Sequence, residues 1–275
     1  MDRSILVKIF GFPATLIHGD TLVLDRWLWL RRRIPETSND ESLIDVGCGS
    51  GAFSIGAARR GYSALGLSWD ERNQNIASER ATICGAGNAK YEVLDVRKLD
   101  ARKDLLARFD VAICLENIEH IIDDQKLMSD IAACLVPGGR LLLSTPYLLY
   151  IPMTKDDKGP FSTTEDGSHV RRGYTPVMLE ELCRDAGLVA ERITFCSGML
   201  SQNITKFQRT IAKFNPILGW VIVLPLRILP PLFDKVLTRI FGWPHFSICL
   251  EAYKPRWRSA GSKQALSFLG RKVRE

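Results

Sequence analysis

The sequence contains no Cys-x-x-Cys pair, and its seven cysteines are scattered, most of them inside apolar segments. An odd number of unclustered cysteines argues against a disulfide framework and against a structural zinc site. The distribution fits reduced cysteines that pack as small apolar side chains. We therefore expect a reducing compartment, the cytoplasm, and no metal site.

A clean apolar segment of about 20 residues, which a membrane-spanning helix requires, is also missing. The most apolar stretch, PILGWVIVLPLRILPPLF at 216–233, is interrupted by four prolines and by Arg227. At the N-terminus, Lys8 splits the apolar residues, and no small-residue cleavage site follows them. The sequence therefore predicts neither a transmembrane helix nor a signal peptide.

Acidic residues are scarce in the last quarter of the chain. Residues 201–275 hold thirteen Lys and Arg against three Asp and Glu, a charge of +10. The whole chain carries a formal charge of +6, which leaves −4 for residues 1–200. This asymmetry predicts an anionic partner near the C-terminal end, such as a membrane surface, an anionic substrate or nucleic acid. Alternatively, the last twenty residues are only a solvated basic tail.

From residue 43 onward the sequence shows a regular alternation of short apolar segments and helical patterns. This spacing is typical of βαβ units, so we predict an α/β fold with a largely parallel sheet covered by helices on both faces. The predicted strands are 43–46, 63–67, 90–94, 109–115, 140–145, 188–196 and 246–253. The predicted helices are about 51–60, 71–84, 123–135 and 176–186.

The remaining segments complete the predicted domain organisation. Residues 1–42 form an N-terminal helical cap or lid, with a helix over 20–34 that begins at Asp20. The main domain is 43–197, and its long loop at 146–173 has the length of a functional or a disordered loop. An apolar, basic and helical insertion follows at 198–245. The closing strand at 246–254 and a basic tail at 255–275 end the chain.

The first predicted strand runs into a glycine-rich loop, LIDVGCGSGAF at 43–53. Gly47, Gly49 and Ala52 also satisfy the dinucleotide pattern G-x-G-x-x-G/A, so the glycines alone do not identify the ligand. Asp45 lies two residues before the loop, where a carboxylate repels a pyrophosphate and attracts a cation. We therefore predict a ligand that carries an ammonium and a sulfonium instead of phosphates.

Four separated motifs follow one another along the chain: DVGCGSG, LDVR, FDVAICLENIEHI and LVPGGRLLLSTP. Together they resemble class I S-adenosylmethionine-dependent methyltransferases, in particular the small-molecule branch that includes the ubiquinone-pathway O-methyltransferases. The resemblance covers about 43–196 and 246–253. It implies a doubly wound, Rossmann-like sheet of seven strands, mostly parallel with the last strand antiparallel. It also implies S-adenosyl-L-methionine as the cofactor.

The resemblance further implies which residues bind this cofactor. Those expected around its methionine half are Asp45, Gly47, Cys48 and Gly49. Those expected around its ribose and adenine are Ser68, Trp69, Asp70, Gln74, Asp95 and Val96. Glu116, at the end of the fourth strand, is expected to close over it.

One of these positions departs from the family pattern. Most members carry an acid at the end of the second strand that binds both ribose hydroxyls, whereas this chain has Ser68. A serine hydroxyl cannot make the bidentate contact of a carboxylate. We expect Asp70 or Gln74 to bind the ribose instead and Trp69 to stack on the adenine. Alternatively, Asp70 is only the N-cap of the next helix.

Methyl transfer requires an aligned acceptor and, when the acceptor is a hydroxyl, removal of its proton. His120 in ENIEHI is the predicted base, because an imidazole titrates near neutrality and this residue follows the fourth strand. His169, Arg172 and Tyr174 in GSHVRRGYT are predicted to bind an anionic group of the acceptor. The alternatives are a stabilised turn at His120 and a solvated loop around His169.

The acceptor itself leaves only an indirect trace in the sequence. LENIEH stands where nucleic-acid and glutamine N-methyltransferases carry an N-P-P-Y segment, which argues against amino-group methylation of adenine. We therefore expect no nucleic-acid partner. The insertion resembles a surface for a lipid interface, or alternatively a helical subdomain. We predict O-methylation of a small or lipid-linked acceptor, with peripheral contact to the anionic inner face of a membrane. The alternatives are an RNA or protein methyltransferase that docks through the basic C-terminal region, or an inactive S-adenosylmethionine-binding scaffold.

Overall fold

A computed structural model describes residues 4–17, 19 and 21–256 of the chain. Asp20, which the pattern predicts as a helix cap, lies outside the described residues, and so does nearly all of the predicted basic tail.

The sheet has seven strands in the order β3-β2-β1-β4-β5-β7-β6. Strands β1 to β5 are mutually parallel, whereas β7 runs antiparallel to both β5 and β6. The strands are β1 Ser42–Val46, β2 Ser63–Ser68, β3 Ala89–Val93, β4 Phe109–Leu115, β5 Leu135–Pro146, β6 Val189–Cys196 and β7 Ser247–Tyr253. The predicted doubly wound, mostly parallel sheet is confirmed, and the strand order reverses between β1 and β4, where such sheets bind ligands.

Helices cover both faces of this sheet. Successive strand residues point to opposite faces, so Ile44 and Ala112 belong to one core cluster while Leu43 and Val111 belong to the other. Burial on both faces explains why the central strands read as continuous apolar segments. The helices of the main domain are α4 Ala52–Ala58, α5 Glu71–Ile83, α6 Asp124–Cys134 and α7 Pro176–Asp185.

Strand β5 begins earlier than the sequence pattern indicates. The pattern predicts this strand over 140–145, after Pro137-Gly138-Gly139, but α6 ends at Cys134 and β5 already begins at Leu135. The pairing of β5 with β4 shifts register between Phe109 and Val111. The Gly138 N–H donates to the Lys254 carbonyl, and the Lys254 N–H donates to the Gly139 carbonyl. These bonds give the two glycines strand partners, so the segment is a bulged strand.

The N-terminal segment is helical and packs against the main domain. Its helices are α1 Ile5–Phe10, α2 Phe12–Ile17 and α3 Thr21–Leu30. The Trp27 ring of α3 packs over Gly56 of α4, and Phe12 contacts the same ring edge-to-face at 5.2 Å between centroids. The Trp29 indole N–H donates to the Thr194 hydroxyl of β6 at 3.0 Å. These contacts fix α3 above the sheet.

A helical region precedes the last strand, as predicted. It comprises α8 Met199–Ala212, α9 Pro216–Val223, a 3-10 segment Leu224–Ile228, a π segment Pro230–Asp234 and α10 Lys235–Ile240. Asp234 accepts hydrogen bonds from the Gly198 and Leu200 N–H groups, both at 2.6 Å, and so caps the start of α8. Helix α8 in turn packs against α3. The insertion is therefore attached to both the N-terminal helices and the sheet.

The contact between α3 and α8 contains a partly buried acid, Asp25. Desolvation raises the pKa of Asp25 to about 7, and one of its carboxyl oxygens is buried without a hydrogen-bond partner among the described residues. A raised carboxyl pKa means that the folded state holds a proton that the unfolded chain releases at lower pH. The contribution of Asp25 to the free energy of unfolding therefore falls as pH rises from about 4 to about 7 and is constant above that range.

Replacing Asp25 by Asn should remove this penalty. We expect Asp25→Asn to gain up to about 3 kcal/mol over wild type at pH 8 and little at pH 4. Urea unfolding at both pH values measures the difference, with Asp185→Asn on the exposed surface of α7 as control. A gain of equal size at both pH values would contradict the assignment.

Candidate active site

A cleft of about 530 Å³ opens at the carboxyl ends of β1, β2 and β4, at the reversal of strand order. Its walls come from the glycine loop, the ends of three strands and the long loop that follows β5. The lining residues are Gly47, Gly49, Ser68, Trp69, Asn73, Asp95, Val96, Arg97, Glu116, Asn117, His120, Ile121, Glu165, Asp166 and Gly167. Most of the predicted cofactor and catalytic residues are among them.

Two glycines of the loop have different reasons to lack a side chain, although both have positive φ angles. A Cβ at Gly47 would overlap the side chain of Asn117, which crosses from the end of β4. A Cβ at Gly49 would meet no described atom within 4 Å, so this residue presents bare backbone to the open cleft. The absence of a side chain at Gly49 leaves room for a ligand to approach the backbone closely.

Asp45 does not line the cleft, contrary to the expectation from the sequence. Its side chain is buried beneath the glycine loop, and desolvation raises its pKa to about 7 although Ser54 forms hydrogen bonds with it. A carboxyl group that is partly protonated near neutrality and shielded from the ligand is a weak source of attraction for a cation. Any attraction of a cationic ligand to this cleft must therefore come from acids other than Asp45.

Three other predicted cofactor residues also have structural partners. The Cys48 thiol lies 3.5 Å from the side-chain oxygen of Gln74, and burial raises the pKa of Cys48. The Gln74 amide donates to the carbonyl of Glu92, which joins α5 to β3. Asp70 accepts hydrogen bonds from the Arg72 and Asn73 N–H groups, so it is the N-cap of α5. None of the three lines the cleft.

The far side of the cleft is bordered by Ser68 and Trp69. Ser68 is buried at the end of β2, whereas the Trp69 side chain is 66% exposed beside the opening. Such exposure leaves one face of the indole ring free for a planar ligand group. Both residues line the cleft, and their roles toward the ribose and the adenine stay predictions.

Asp95 and Arg97 connect the cleft to the long loop after β5. Arg97 pairs with Asp95 at 2.6 Å and with Glu165 at 2.7 Å. The Arg97 guanidinium lowers the pKa of Asp95, so this carboxylate is ionised at neutral pH. Glu165 also accepts the Ile122 N–H at 2.6 Å, which holds the loop against the cleft.

Glu116 is the most firmly held acid of the cleft. Its φ angle is 53°, a strained value for a residue other than glycine. Arg26 of α3 pairs with its carboxylate at 3.0 Å, and the hydroxyls of Ser144 and Ser247 donate to it at 3.0 and 3.1 Å. Three elements distant in sequence therefore fix one carboxylate at the end of β4.

The cleft as a whole is acidic. Its lining includes four carboxylates and a single guanidinium, that of Arg97. Low-dielectric walls strengthen such a field. The four acids of the lining are Asp95, Glu116, Glu165 and Asp166, and Asp45 is not among them. Arg97 pairs with two of these acids and Arg26 with a third, so the attraction of a cationic ligand to the cleft stays a prediction.

His120 lies at the inner edge of the cleft, next to His169 and Glu119. The two imidazole rings meet edge-to-face at 4.7 Å between centroids. Glu119 is 1% exposed, and its carboxylate lies 4.0 Å from His120 Nε2. Burial lowers the pKa of His169 to about 4, so this imidazole is neutral at physiological pH.

These three side chains are also able to hold a metal ion. One ligand atom from each of Glu119, His120 and His169 lies within 4.8 Å of the others. Within the described part of the chain, neither Glu119 Oε1 nor His120 Nδ1 has a hydrogen-bond partner. Two imidazoles and a carboxylate are a common ligand set for divalent transition metals.

The other two predicted acceptor residues lie elsewhere. Tyr174 is fully buried, and its hydroxyl donates to Asp124 at 2.8 Å. Arg172 donates to the carbonyl of Tyr150 at 2.8 Å and stacks over its ring. Both side chains hold the long loop in place, and neither lines the cleft. The structure brings only His169 of this group close to His120.

The sequence pattern of the methyltransferase domain family matches residues 24–192. The chain belongs to this family. A ubiquinone biosynthesis O-methyltransferase of Leptothrix cholodnii is 32% identical over 154 residues, which cover 53% of this chain and 63% of that protein. The chain thus spans less than two thirds of the length of this relative.

Two solved structures share the methyltransferase fold. One is a Haemonchus contortus phosphoethanolamine N-methyltransferase 2 in complex with S-adenosyl-L-methionine, with a TM-score of 0.60 and 18% identity. The alignment covers 93% of this chain and 60% of that one. The other is the [4+2]-cyclase SpnF, also with a TM-score of 0.60 and 18% identity, over 86% and 83% of the chains.

Several cleft residues of this methyltransferase domain were not identified from the sequence. Asn117 was inside the motif LENIEH but received no role, and Asn73 directly precedes Gln74, which was chosen instead. Glu165 and Asp166 lie in the long loop, whose length was the only signal. The hydrogen bonds that bring this loop over the cleft are not visible in a sequence pattern.

Asp95 provides a test of the cleft as the donor site. Asp95→Asn should weaken binding of S-adenosyl-L-methionine by roughly tenfold, since it replaces the carboxylate expected to accept a hydrogen bond from the donor. Isothermal titration calorimetry measures the affinity. Asp100→Asn is the matched control, because Asp100 lies in the same 3-10 helix and pairs with Lys126 away from the cleft. Equal affinities for the two variants would contradict the assignment.

Proposed function

We propose that the protein is an S-adenosyl-L-methionine-dependent methyltransferase that O-methylates a small or lipid-linked acceptor. The observation that carries the proposal is the acidic cleft at the reversal of strand order, with bare backbone at Gly49. S-adenosyl-L-methionine carries a sulfonium and an ammonium, which an acidic cleft attracts and a phosphate site would not. Membership of the methyltransferase domain family supports the same donor.

The residues proposed to bind the donor are those of the predicted set that line the cleft. The backbone of Gly47 and Gly49 borders the region proposed for the methionine half. Asp95, Val96 and Trp69 border the region proposed for the adenine, and Ser68 and Asn73 lie where the ribose-binding acid is missing. When bound, the donor supplies a methyl carbon activated by the sulfonium, and the chain must align an acceptor with it.

His120 is proposed as the base that removes the acceptor proton. It lines the same cleft as the donor residues, and its buried Nδ1 has no described hydrogen-bond partner. His169, neutral at physiological pH, does not compete with it by carrying a second positive charge. A base at this place is useful for a hydroxyl acceptor. The relative named as an O-methyltransferase supports this choice of acceptor atom.

The proposed compartment is the cytoplasm, with peripheral contact to the anionic inner face of a membrane. All seven cysteines are unbonded, although the sulfur atoms of Cys196 and Cys249 are only 3.5 Å apart. This arrangement is consistent with a reducing compartment. A membrane as the source of the acceptor would account for the apolar surface of the insertion.

The acceptor class is testable with labelled donor. The protein is incubated with methyl-labelled S-adenosyl-L-methionine and cell extract that has been separated into lipid, polymer and small-molecule fractions. We expect base-stable label in the lipid or small-molecule fraction. Label confined to RNA or protein would favour a docking methyltransferase. Donor binding with no labelled fraction would favour an inactive scaffold.

His120 should be essential for the transfer step. We expect His120→Gln to lower kcat by about 100-fold to 10,000-fold, the usual contribution of general-base catalysis. Calorimetry should show nearly unchanged affinity for S-adenosyl-L-methionine. His245→Gln is the matched control, since His245 is partly buried and stacks on Phe195 outside the cleft. A loss of donor affinity equal to the loss of rate would refute a role in proton removal.

A further inference from the structure

The insertion has an unusual surface between Phe214 and Phe241. Large apolar side chains are exposed along the whole segment, and several lie more than 60% open to solvent. We call the exposed set the apolar face: Phe214, Ile217, Leu218, Val221, Ile222, Ile228, Leu229, Leu232, Phe233, Val236, Ile240 and Phe241. A contiguous exposed segment of this kind marks an interaction site in a folded protein.

Two charged residues of the same segment, Arg227 and Asp234, are buried. Arg227 is 3% exposed and donates to the carbonyls of Ile17 and Gly19 and to the side chain of Gln208. Asp234 is buried and caps α8. This pattern is the reverse of an ordinary surface helix, which buries its apolar side chains and exposes its charges. The apolar face is therefore held outward by buried polar contacts.

Four exposed basic residues, which we call the basic rim, lie before and between the residues of the apolar face in sequence. Lys206, Lys213, Lys235 and Arg239 are all exposed. Asp234 is the only acid between residues 198 and 245, and it is buried. A face of large apolar side chains with a basic rim and no exposed acid matches the headgroup region of an anionic bilayer.

The geometry favours a helix pair lying in the membrane plane over a pair crossing the membrane. No single helix among the described residues has the length and apolar character to cross a bilayer. The segments Pro216–Ile228 and Pro230–Ile240 meet that test only together, and they are bent by 43° at their junction. Arg227 and Asp234 fasten both segments to the body of the protein, so neither can leave it to enter the bilayer core.

We infer that residues 214–241 form an in-plane anchor that inserts the apolar face into one leaflet of an anionic membrane. The inference deepens the proposed function by naming the surface and its partner, and it rests on that proposal only for the source of the acceptor. The apolar side chains enter the boundary between headgroups and acyl chains, while the basic rim contacts lipid phosphates.

A second copy of the chain fits this surface less well than a membrane. In a twofold dimer through the apolar face, the basic rim of one copy would lie opposite the same rim of the other. Four exposed cations on each side with no exposed acid would repel one another. Anionic headgroups neutralise the same charges. The charge distribution therefore favours an anionic bilayer over a second copy of the chain as the partner of the apolar face.

Co-sedimentation with vesicles of phosphatidylglycerol and phosphatidylcholine tests the inference. We expect the full chain to bind vesicles that contain phosphatidylglycerol, and to bind pure phosphatidylcholine at least about tenfold more weakly. Raised salt should weaken binding to the anionic vesicles, since it screens the basic rim.

Two paired substitutions locate the surface. Ile228→Ser with Leu232→Ser should weaken vesicle binding by about tenfold or more, because two side chains lose their transfer from water. Val177→Ser with Leu106→Ser is the matched control, since both are exposed apolar residues outside the insertion. The control pair should bind as wild type. Circular dichroism verifies that both variants are folded.

Three results would overturn the inference: no vesicle binding by wild type, equal losses in both variant pairs, or a dimer in sedimentation velocity that Ile228→Ser with Leu232→Ser dissociates. Calorimetry with S-adenosyl-L-methionine on the same preparations separates this inference from the proposed function. Vesicle binding without donor affinity would contradict the methyltransferase proposal alone. Donor affinity without vesicle binding would contradict the anchor alone.

Discussion

Burial of the central strands on both faces is the constraint on which the rest of the structure depends. A strand covered by helices on either side has no solvated face for ionisable groups, so functional polar groups collect at the strand ends. Asp45 is an exception, because it lies within β1 and not at its end. Burial there removes water from its carboxyl group and raises its pKa to about 7. Glu116 follows the end of β4, where Arg26, Ser144 and Ser247 can reach it. The position of the cleft follows from the sheet.

The sheet was predictable because its signals are local. Strands buried on both faces leave continuous apolar segments, and the bounds of β4 agree at every residue with FDVAICL. The cleft was predictable only in part. Ser68, Asp95 and Glu116 lie at or just after strand ends, and each lines the cleft. Asp45 and Cys48 lie in the first motif and Gln74 lies in α5, but their side chains point into the protein, since a sequence pattern does not report side-chain direction.

The misplaced residues share a second physical reason, which is competition for hydrogen bonds. Asp70 is needed to satisfy the N–H groups at the start of α5, and Tyr174 to hold Asp124. A polar residue that serves the backbone or a buried partner is not available to a ligand. Such long-range partners, including the bond from Arg97 to Glu165, join residues far apart in sequence. A sequence pattern therefore identifies the motifs at the strand ends but does not show that the loop after β5 lies against the cleft.

The same competition explains why the insertion is apolar on the outside. Arg227 satisfies carbonyls at the end of α2 and beyond it, and Asp234 satisfies the start of α8, so both charges must face the body. The helical turns between these two residues therefore expose Ile228 and Leu232 to solvent. In water, exposed apolar side chains add nothing to folding and promote association. The proposed insertion into a lipid leaflet would cover these side chains. The N-terminal helices touch both this segment, through Ile17, and the cleft, through Arg26, and so connect the two surfaces physically.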